Sequence, residues 1–220
     1  LEDAAQSMGA TFDGRQVGTM GDLSALSFFP SKNLGGFGDG GMITTDHDDL
    51  AKRARILRVH GGAPQYYHKA IGGNFRMDPL HAALLGVKLG HLPGYLARRR
   101  ANAVQYLERL AKFDHVVEGR LVLPTEIESR DHTWNQFTLR VANGKRDTLQ
   151  EHLVTNNIGS AIYYPVPLHQ QECFAHLPNF GESLPVCEKM AGEVLSIPVY
   201  PELTEEQICH VVDTLANAPL

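Results

Sequence analysis

No stretch of this 220-residue chain approaches the roughly 18 to 20 uninterrupted apolar residues that a bilayer crossing needs. A surplus of positive charge is lacking as well: 20 basic against 25 acidic side chains leave a formal charge of −5, which opposes broad attraction to nucleic acid or anionic lipid. Cysteine is scarce. Cys173, Cys187 and Cys209 are an odd number at wide spacings, offering neither the close pairs of a zinc site nor a disulfide framework. Reduced thiols, no metal and a cytoplasmic location are the expectation. The single tryptophan and the lack of any biased tract exclude collagen-like, coiled-coil and mucin-like chains. An initiator methionine is missing too, and Leu1-Glu2-Asp3-Ala4-Ala5-Gln6 has neither the basic start nor the long apolar run of a secretion signal, so the chain reads as opening in mid-domain. What remains is an ordinary globular composition, 43% apolar with 21 glycines and 12 prolines, enough for one large core or two small ones.

The hydrophobic pattern is that of an α/β protein. Leu23 to Phe29 reads as a short buried strand, followed by Pro30-Ser31-Lys32-Asn33 and the glycine-dense run from Gly35 to Gly41. A second strand is expected from Met42 to Thr45, then a helix capped by Asp46 and running to about Arg58, with Leu50, Ala54 and Leu57 on one face. Asp78-Pro79 opens another helix, and Pro93 marks a break before a longer one reaching about Lys112. Strands near Thr138 to Val141 and Ala161 to Tyr164 flank a helix from Arg146 to Asn156. The last helix follows Thr204, which forms a capping box with Gln207 ahead of the stripe Ile208, Val211, Val212, Leu215. The expected division is 1–95, part of a larger α/β domain with bridging helices, and 96–220, a smaller α+β domain. Arg98-Arg99-Arg100 spreads over different helix faces and reads as solvated surface rather than a nucleic-acid patch.

Among the reactive side chains, Lys32 stands out. It is an amine placed directly after a buried strand, between serines and glycine-rich backbone, where partial desolvation frees it to form an imine with a carbonyl. The glycines fit neither the dinucleotide fingerprint nor the phosphate loop that ends in lysine, because here the lysine precedes them. Asp3 follows the possible end of a strand, where a carboxylate can pair with a cationic ring nitrogen. Pyridoxal phosphate asks for that combination: an amine, an anion for the pyridine nitrogen, and hydroxyls or amides for the phosphate. Taken singly, Lys32 has a surface-charge reading and Asp3 a capping one.

Glu2 to Ala10, Gly18-Thr19-Met20-Gly21-Asp22, Ser27-Phe28-Phe29-Pro30-Ser31-Lys32-Asn33-Leu34-Gly35 and Gly38-Asp39-Gly40-Gly41, in this order and spacing, resemble the DegT/StrS family of sugar aminotransferases. Leu57 to Gly61, Gly73 to Asp78, Tyr164 to His169 and Leu195 to Pro198 extend the resemblance over nearly the whole chain. It implies a type I pyridoxal-phosphate fold, with a mostly parallel seven-stranded large domain, a small C-terminal domain and active sites shared across a homodimer. It also implies an N-terminal part ahead of Leu1.

Carried over residue by residue, Lys32 resembles the lysine that holds the cofactor, Asp3 the partner of its pyridine nitrogen, Gln6 a neighbour of its ring hydroxyl, and Ser27 a phosphate ligand. Asn74 matches a residue donated by the neighbouring subunit to the phosphate. The implied reaction moves an amino group, by analogy from glutamate, onto a keto sugar attached to a nucleotide. Family members that dehydrate sugars carry histidine at the lysine position, so Lys32 favours amino transfer. Asn135 and Tyr163, standing where histidine is common, and His169 in the proline loop face the sugar on this reading, while His81 stands where glutamine is frequent. The other readings are a catalytically silent relative that binds cofactor or sugar, and a fragment that only dimerises.

Overall fold

The computed structural model describes all 220 residues. The short strands β1 (Glu2–Asp3), β2 (Thr11–Phe12) and β3 (Arg15–Gln16) precede β4 (Ser24–Ser27), β5 (Gly41–Thr44) and helix α1 (Asp48–Leu57). Helices α2 (Pro79–Leu89), α3 (Leu92–Leu110) and α4 (Asp114–Val117) follow, then β6 (Leu121–Val122), β7 (Arg130–Asp131) and β8 (Phe137–Val141). Helices α5 (Arg146–Thr155) and α6 (Pro185–Glu193), strand β9 (Val194–Ile197) and helix α7 (Glu205–Ala216) complete the chain. It divides into two compact units: Leu1–Ala97 with Glu126–Asn135, and Arg98–Thr125 with Gln136–Leu220.

In the first unit, β1 and β4 run parallel, with Glu2 beside Ser24 and Asp3 beside Ala25, and β5 folds back antiparallel on β4. A second small sheet, ordered β3-β2-β7, is antiparallel and takes its outer strand from the distant segment 126–135. Phe28, Leu34, Leu85 and Leu92 form a buried cluster against which Met8, Met77 and Leu96 pack. Pro79 sits in the first turn of α2, where its missing N–H costs no helical bond. The expected Asp46 cap is corrected: α1 starts at Asp48, and His47 at the cap position makes no side-chain bond. Thr45 shapes that turn instead, its hydroxyl accepting from the His47 amide at 3.1 Å and donating to the Asp22 carbonyl at 2.5 Å.

The second unit is built on the antiparallel sheet β6-β8-β9. Along β8, Phe137, Leu139 and Val141 are buried while Thr138 and Arg140 are half-exposed, the period of two that one covered face imposes. Tyr106 of α3 packs on Phe137 with ring centroids 5.2 Å apart. Helix α7 carries the capping box at Thr204 and Gln207, and Ile208, Val211, Val212 and Leu215 are all buried.

Two expectations in this unit are corrected. Past Ala161, which bridges Ser196, no strand continues to Tyr164: the pairing is a single bridge, and Pro165 and Pro167, without amides, bar any extension beyond that point. Arg99 is not solvated. It lies one turn before Ala103, Tyr106 and Leu110 on the covered stripe of α3, 7% exposed, and donates through Nη1 to the Val199 carbonyl at 3.3 Å.

Candidate active site

Side chains of β1 alternate between faces, and this separates the two leading acids of the chain. The Glu2 carboxylate accepts from the Gly18 amide at 2.8 Å, the Met20 amide at 3.0 Å, the Gly21 amide at 3.3 Å and the Ser24 hydroxyl at 2.7 Å. Those bonds, the Gly18 amide first, bring its carboxyl from the usual 4.5 down to about 2. Asp3 points the other way and is exposed, its Oδ1 accepting only from the nearby Ala5 amide at 3.1 Å.

Because β1 and β4 are parallel and in register, Asp3 and Ser27 both stand at carboxyl ends of neighbouring strands. In open α/β sheets that edge is where ligands bind. Ser27 is half-buried, and its oxygen accepts from the Phe29 amide at 3.3 Å, which leaves the hydroxyl hydrogen available to donate. Gln6 and Lys32 lie in the turns that follow β1 and β4. Four of the expected residues thus lie at, or in the turn just past, the carboxyl ends of two neighbouring strands.

The turn bearing Lys32 is closed by the Lys32 amide donating to the Phe29 carbonyl at 2.9 Å and the Gly36 amide to the Phe28 carbonyl at 2.7 Å. Gly35 has to be glycine, since a Cβ there would lie 2.1 Å from the Pro30 carbonyl oxygen. On either side of the half-buried Lys32, Phe28 and Leu34 are 3% and 4% exposed, so the amine emerges from a turn with two apolar anchors. Helix α2 adds two contacts: Lys88 Nζ donates to the Gly35 carbonyl, and His81 Nε2 accepts from the Phe37 amide at 3.1 Å.

A further support comes from far along the chain. Asn33, buried, donates through Nδ2 to Thr133 Oγ1 at 2.6 Å and to the Thr133 carbonyl at 3.3 Å, and the Thr133 hydroxyl donates to the Met8 carbonyl at 2.7 Å. Two residues on, Asn135 Nδ2 donates to Gln6 Oε1 at 3.0 Å. The segment 126–135 thus ties the loop after β1 to the turn after β4. Asn33, His81, Lys88 and Thr133 were not marked by sequence reasoning as supports; the one available signal was the polar Asn33 wedged between Lys32 and an apolar Leu34.

Asn74 stands apart from this edge, exposed on an extended segment that bridges Val59 beyond the end of α1. Tyr163 and His169 belong to the second unit. Tyr163 is exposed, whereas His169 is half-buried with Nε2 3.1 Å from Glu188 Oε1. The Leu184 amide at 2.7 Å, and after it His169, hold the Glu188 carboxyl below the usual carboxylate range.

The donor set at the sheet edge comprises a primary amine, a carboxylate, a hydroxyl and a side-chain amide. Its chemistry suits an aldehyde-bearing pyridinium phosphate: an amine can bond an aldehyde carbon, a carboxylate can pair with a protonated ring nitrogen, and neutral donors can serve a phosphate and a ring oxygen.

The model of the DegT/DnrJ/EryC1/StrS aminotransferase family matches residues 1–216. A pleiotropic regulatory protein of Geobacillus stearothermophilus is 45% identical over 217 residues, which cover 99% of this chain and 57% of that protein. The UDP-N-acetyl-3-dehydro-alpha-D-glucosamine 3-aminotransferase of Acidithiobacillus ferrooxidans is 41% identical over 215 residues, covering 98% of this chain and 56% of the relative. Among solved structures, DesV of S. venezuelae in complex with a ketimine intermediate superposes with a TM-score of 0.88 at 39% identity, over 97% of this chain and 56% of that one. The chain therefore spans little more than half the length of these relatives.

Proposed function

Because the chain belongs to the DegT/DnrJ/EryC1/StrS aminotransferase family, we propose that it forms the lysine-bearing part of a pyridoxal-phosphate-dependent enzyme that transfers an amino group to a keto sugar of a nucleotide sugar. Aminotransferases of this family work with that cofactor. The observation that supports the reading is that Asp3 and Ser27 end two adjacent parallel strands and that Gln6 and Lys32 lie in the turns that follow them.

When bound, pyridoxal phosphate supplies an electron sink for the carbon that loses a proton. The rest is done by the chain. Lys32 Nζ would hold the aldehyde carbon, and as a free amine it would move the proton of the donor α-carbon, a transfer typically worth about 10² to 10⁴ in rate. Asp3 keeps a proton on the ring nitrogen, Gln6 orients the ring through its hydroxyl, and Ser27 donates to the phosphate. Asn74 reaches the phosphate of a second copy in a homodimer, and glutamate is the amino donor. Asn135, Tyr163 and His169 serve the sugar. Asn135 does so while its amide is tied to Gln6.

The test is spectroscopy of the full protein with glutamate and a panel of nucleotide-linked 3-keto and 4-keto sugars. The wild type is expected to show the yellow band of lysine-bound cofactor, to lose it with glutamate and to regain it with one keto sugar. Lys32→Ala should abolish the band and lower turnover by at least about 10²-fold. A wild type that binds cofactor and returns no amino group would overturn the reading in favour of the silent, regulatory one.

A further inference from the structure

We infer that Thr133 is a positioning residue for Lys32: its hydroxyl locks the lysine-bearing turn to the loop after β1, and so sets the amine against Asp3 and Gln6. The inference rests on the amino-transfer reading for what Lys32 does. The lock itself is read from hydrogen bonds alone.

The direction of those bonds is fixed by chemistry. The Met8 carbonyl accepts only, so the Thr133 hydrogen is committed to it at 2.7 Å. Thr133 Oγ1 then has lone pairs but no proton left, and the Asn33 side chain meets it at 2.6 Å with its NH2, which also reaches the Thr133 carbonyl at 3.3 Å. One hydroxyl therefore joins two loops that lie far apart in sequence, accepting from one and donating to the other.

Both ends of the lock are sheltered. Asn33 is 7% exposed and Thr133 5%, so water competes poorly for either bond. Their position is what links them to function. Asn33 adjoins Lys32 and precedes Leu34, an anchor in the apolar cluster, and Met8 is two residues beyond Gln6. Asn135 holds Gln6 from the same segment, so Thr133 and Asn135 together clamp the residues on either side of the amine. Without the hydroxyl, the β4 turn keeps its own internal bonds and its packing on Met8 but loses the hydrogen-bonded tie that sets Asn33, next to Lys32, against the β1 loop. Such a small misplacement of a catalytic group is costly even where the fold survives.

The experiment compares Thr133→Val, which keeps the shape and removes the hydroxyl, with Thr133→Ser, which keeps the hydroxyl, in the full protein. Asn33→Asp is the second variant. An aspartate there either faces the Thr133 oxygens with like polarity or takes the hydroxyl hydrogen from Met8, and one link breaks in both cases. Two readouts are taken: amide hydrogen exchange of the 28–36 peptide in cofactor-free protein, and kcat against KM for the amino donor.

Thr133→Val is expected to speed exchange of that peptide by about tenfold or more while the separate β8 and β9 peptides are unchanged, and to lower kcat by about 10- to 100-fold with donor KM altered less than about twofold. Serine should restore both, and Asn33→Asp should follow valine. Unchanged exchange in Thr133→Val and Asn33→Asp would overturn the lock. Faster exchange with kcat intact would overturn its role in positioning Lys32. A wild type that transfers no amino group would sink the functional reading and with it that role, while the exchange data would still decide the lock.

Discussion

Two neighbouring acids, Glu2 and Asp3, show how much a single position can change a side chain's task. Glu2 is enclosed by backbone amides of the 18–21 turn and by Ser24, whereas Asp3 is left at the strand end. Since the Glu2 carboxyl falls to about 2 in the folded chain from 4.5, its contribution is fully present above about pH 5 and fades as the pH drops toward about 2. Glu2→Gln is accordingly expected to lower Tm at pH 7, with the gap from wild type closing on acidification; a pH series of thermal melts checks this, and an equal gap at all pH values would refute it. At this scale the strand-end positions of Lys32 and Asp3 were legible from the patterns before them, while Ser27 was marked by the family resemblance. Thr133 was not legible, because Asp131-His132-Thr133-Trp134-Asn135 has no period and its partners are 100 and 125 residues away. Arg99 was misread for the same reason: the partner that satisfies it, the Val199 carbonyl, is invisible to local pattern.

Elements whose burial follows a simple period were the readable ones. β8 alternates and α7 repeats at helical spacing behind a capping box, so both follow from side-chain geometry. The start of α1 and the stretch after Ala161 were not readable, since a hydroxyl contact across the chain shapes the first and the second pairs only through the single bridge of Ala161 to Ser196. The element that matters most for the site is the turn after β4, and packing of its anchors shares in holding it with the Thr133 hydrogen bonds. Leu34→Ala would remove one anchor, costing about 2 to 5 kcal/mol of unfolding free energy. Denaturant titration measures that cost, and weaker cofactor retention by the Lys32 turn should accompany it. A loss below about 0.5 kcal/mol, the range of surface substitutions, would show that the cluster does not hold the turn.

For the whole molecule, the proposal that Asn74 serves a second copy has a consequence that no single-chain variant can show. Lys32→Ala and Asn74→Ala homodimers should each be impaired. Random mixing of the two puts half of all dimers in hybrid form, each with one site carrying both native residues, so about a quarter of wild-type turnover should return. Mixing purified variants through a dissociation and reassembly step tests this, and no recovery in verified hybrids would assign Asn74 to its own chain's site or to none.

The clamp on Lys32 closes across 100 positions of sequence, from Asn33 to Thr133. Synthesis proceeds from the N-terminus, so the β1 and β4 strands emerge long before the segment that fastens their loops. A nascent chain halted ahead of Glu126 would present its lysine on an unsecured turn. On the reading proposed for Lys32, the tie that aims its amine is thus acquired late, once the ribosome has delivered Asn135, and termination between Asn33 and Thr133 would yield chains that have the amine but not its aim.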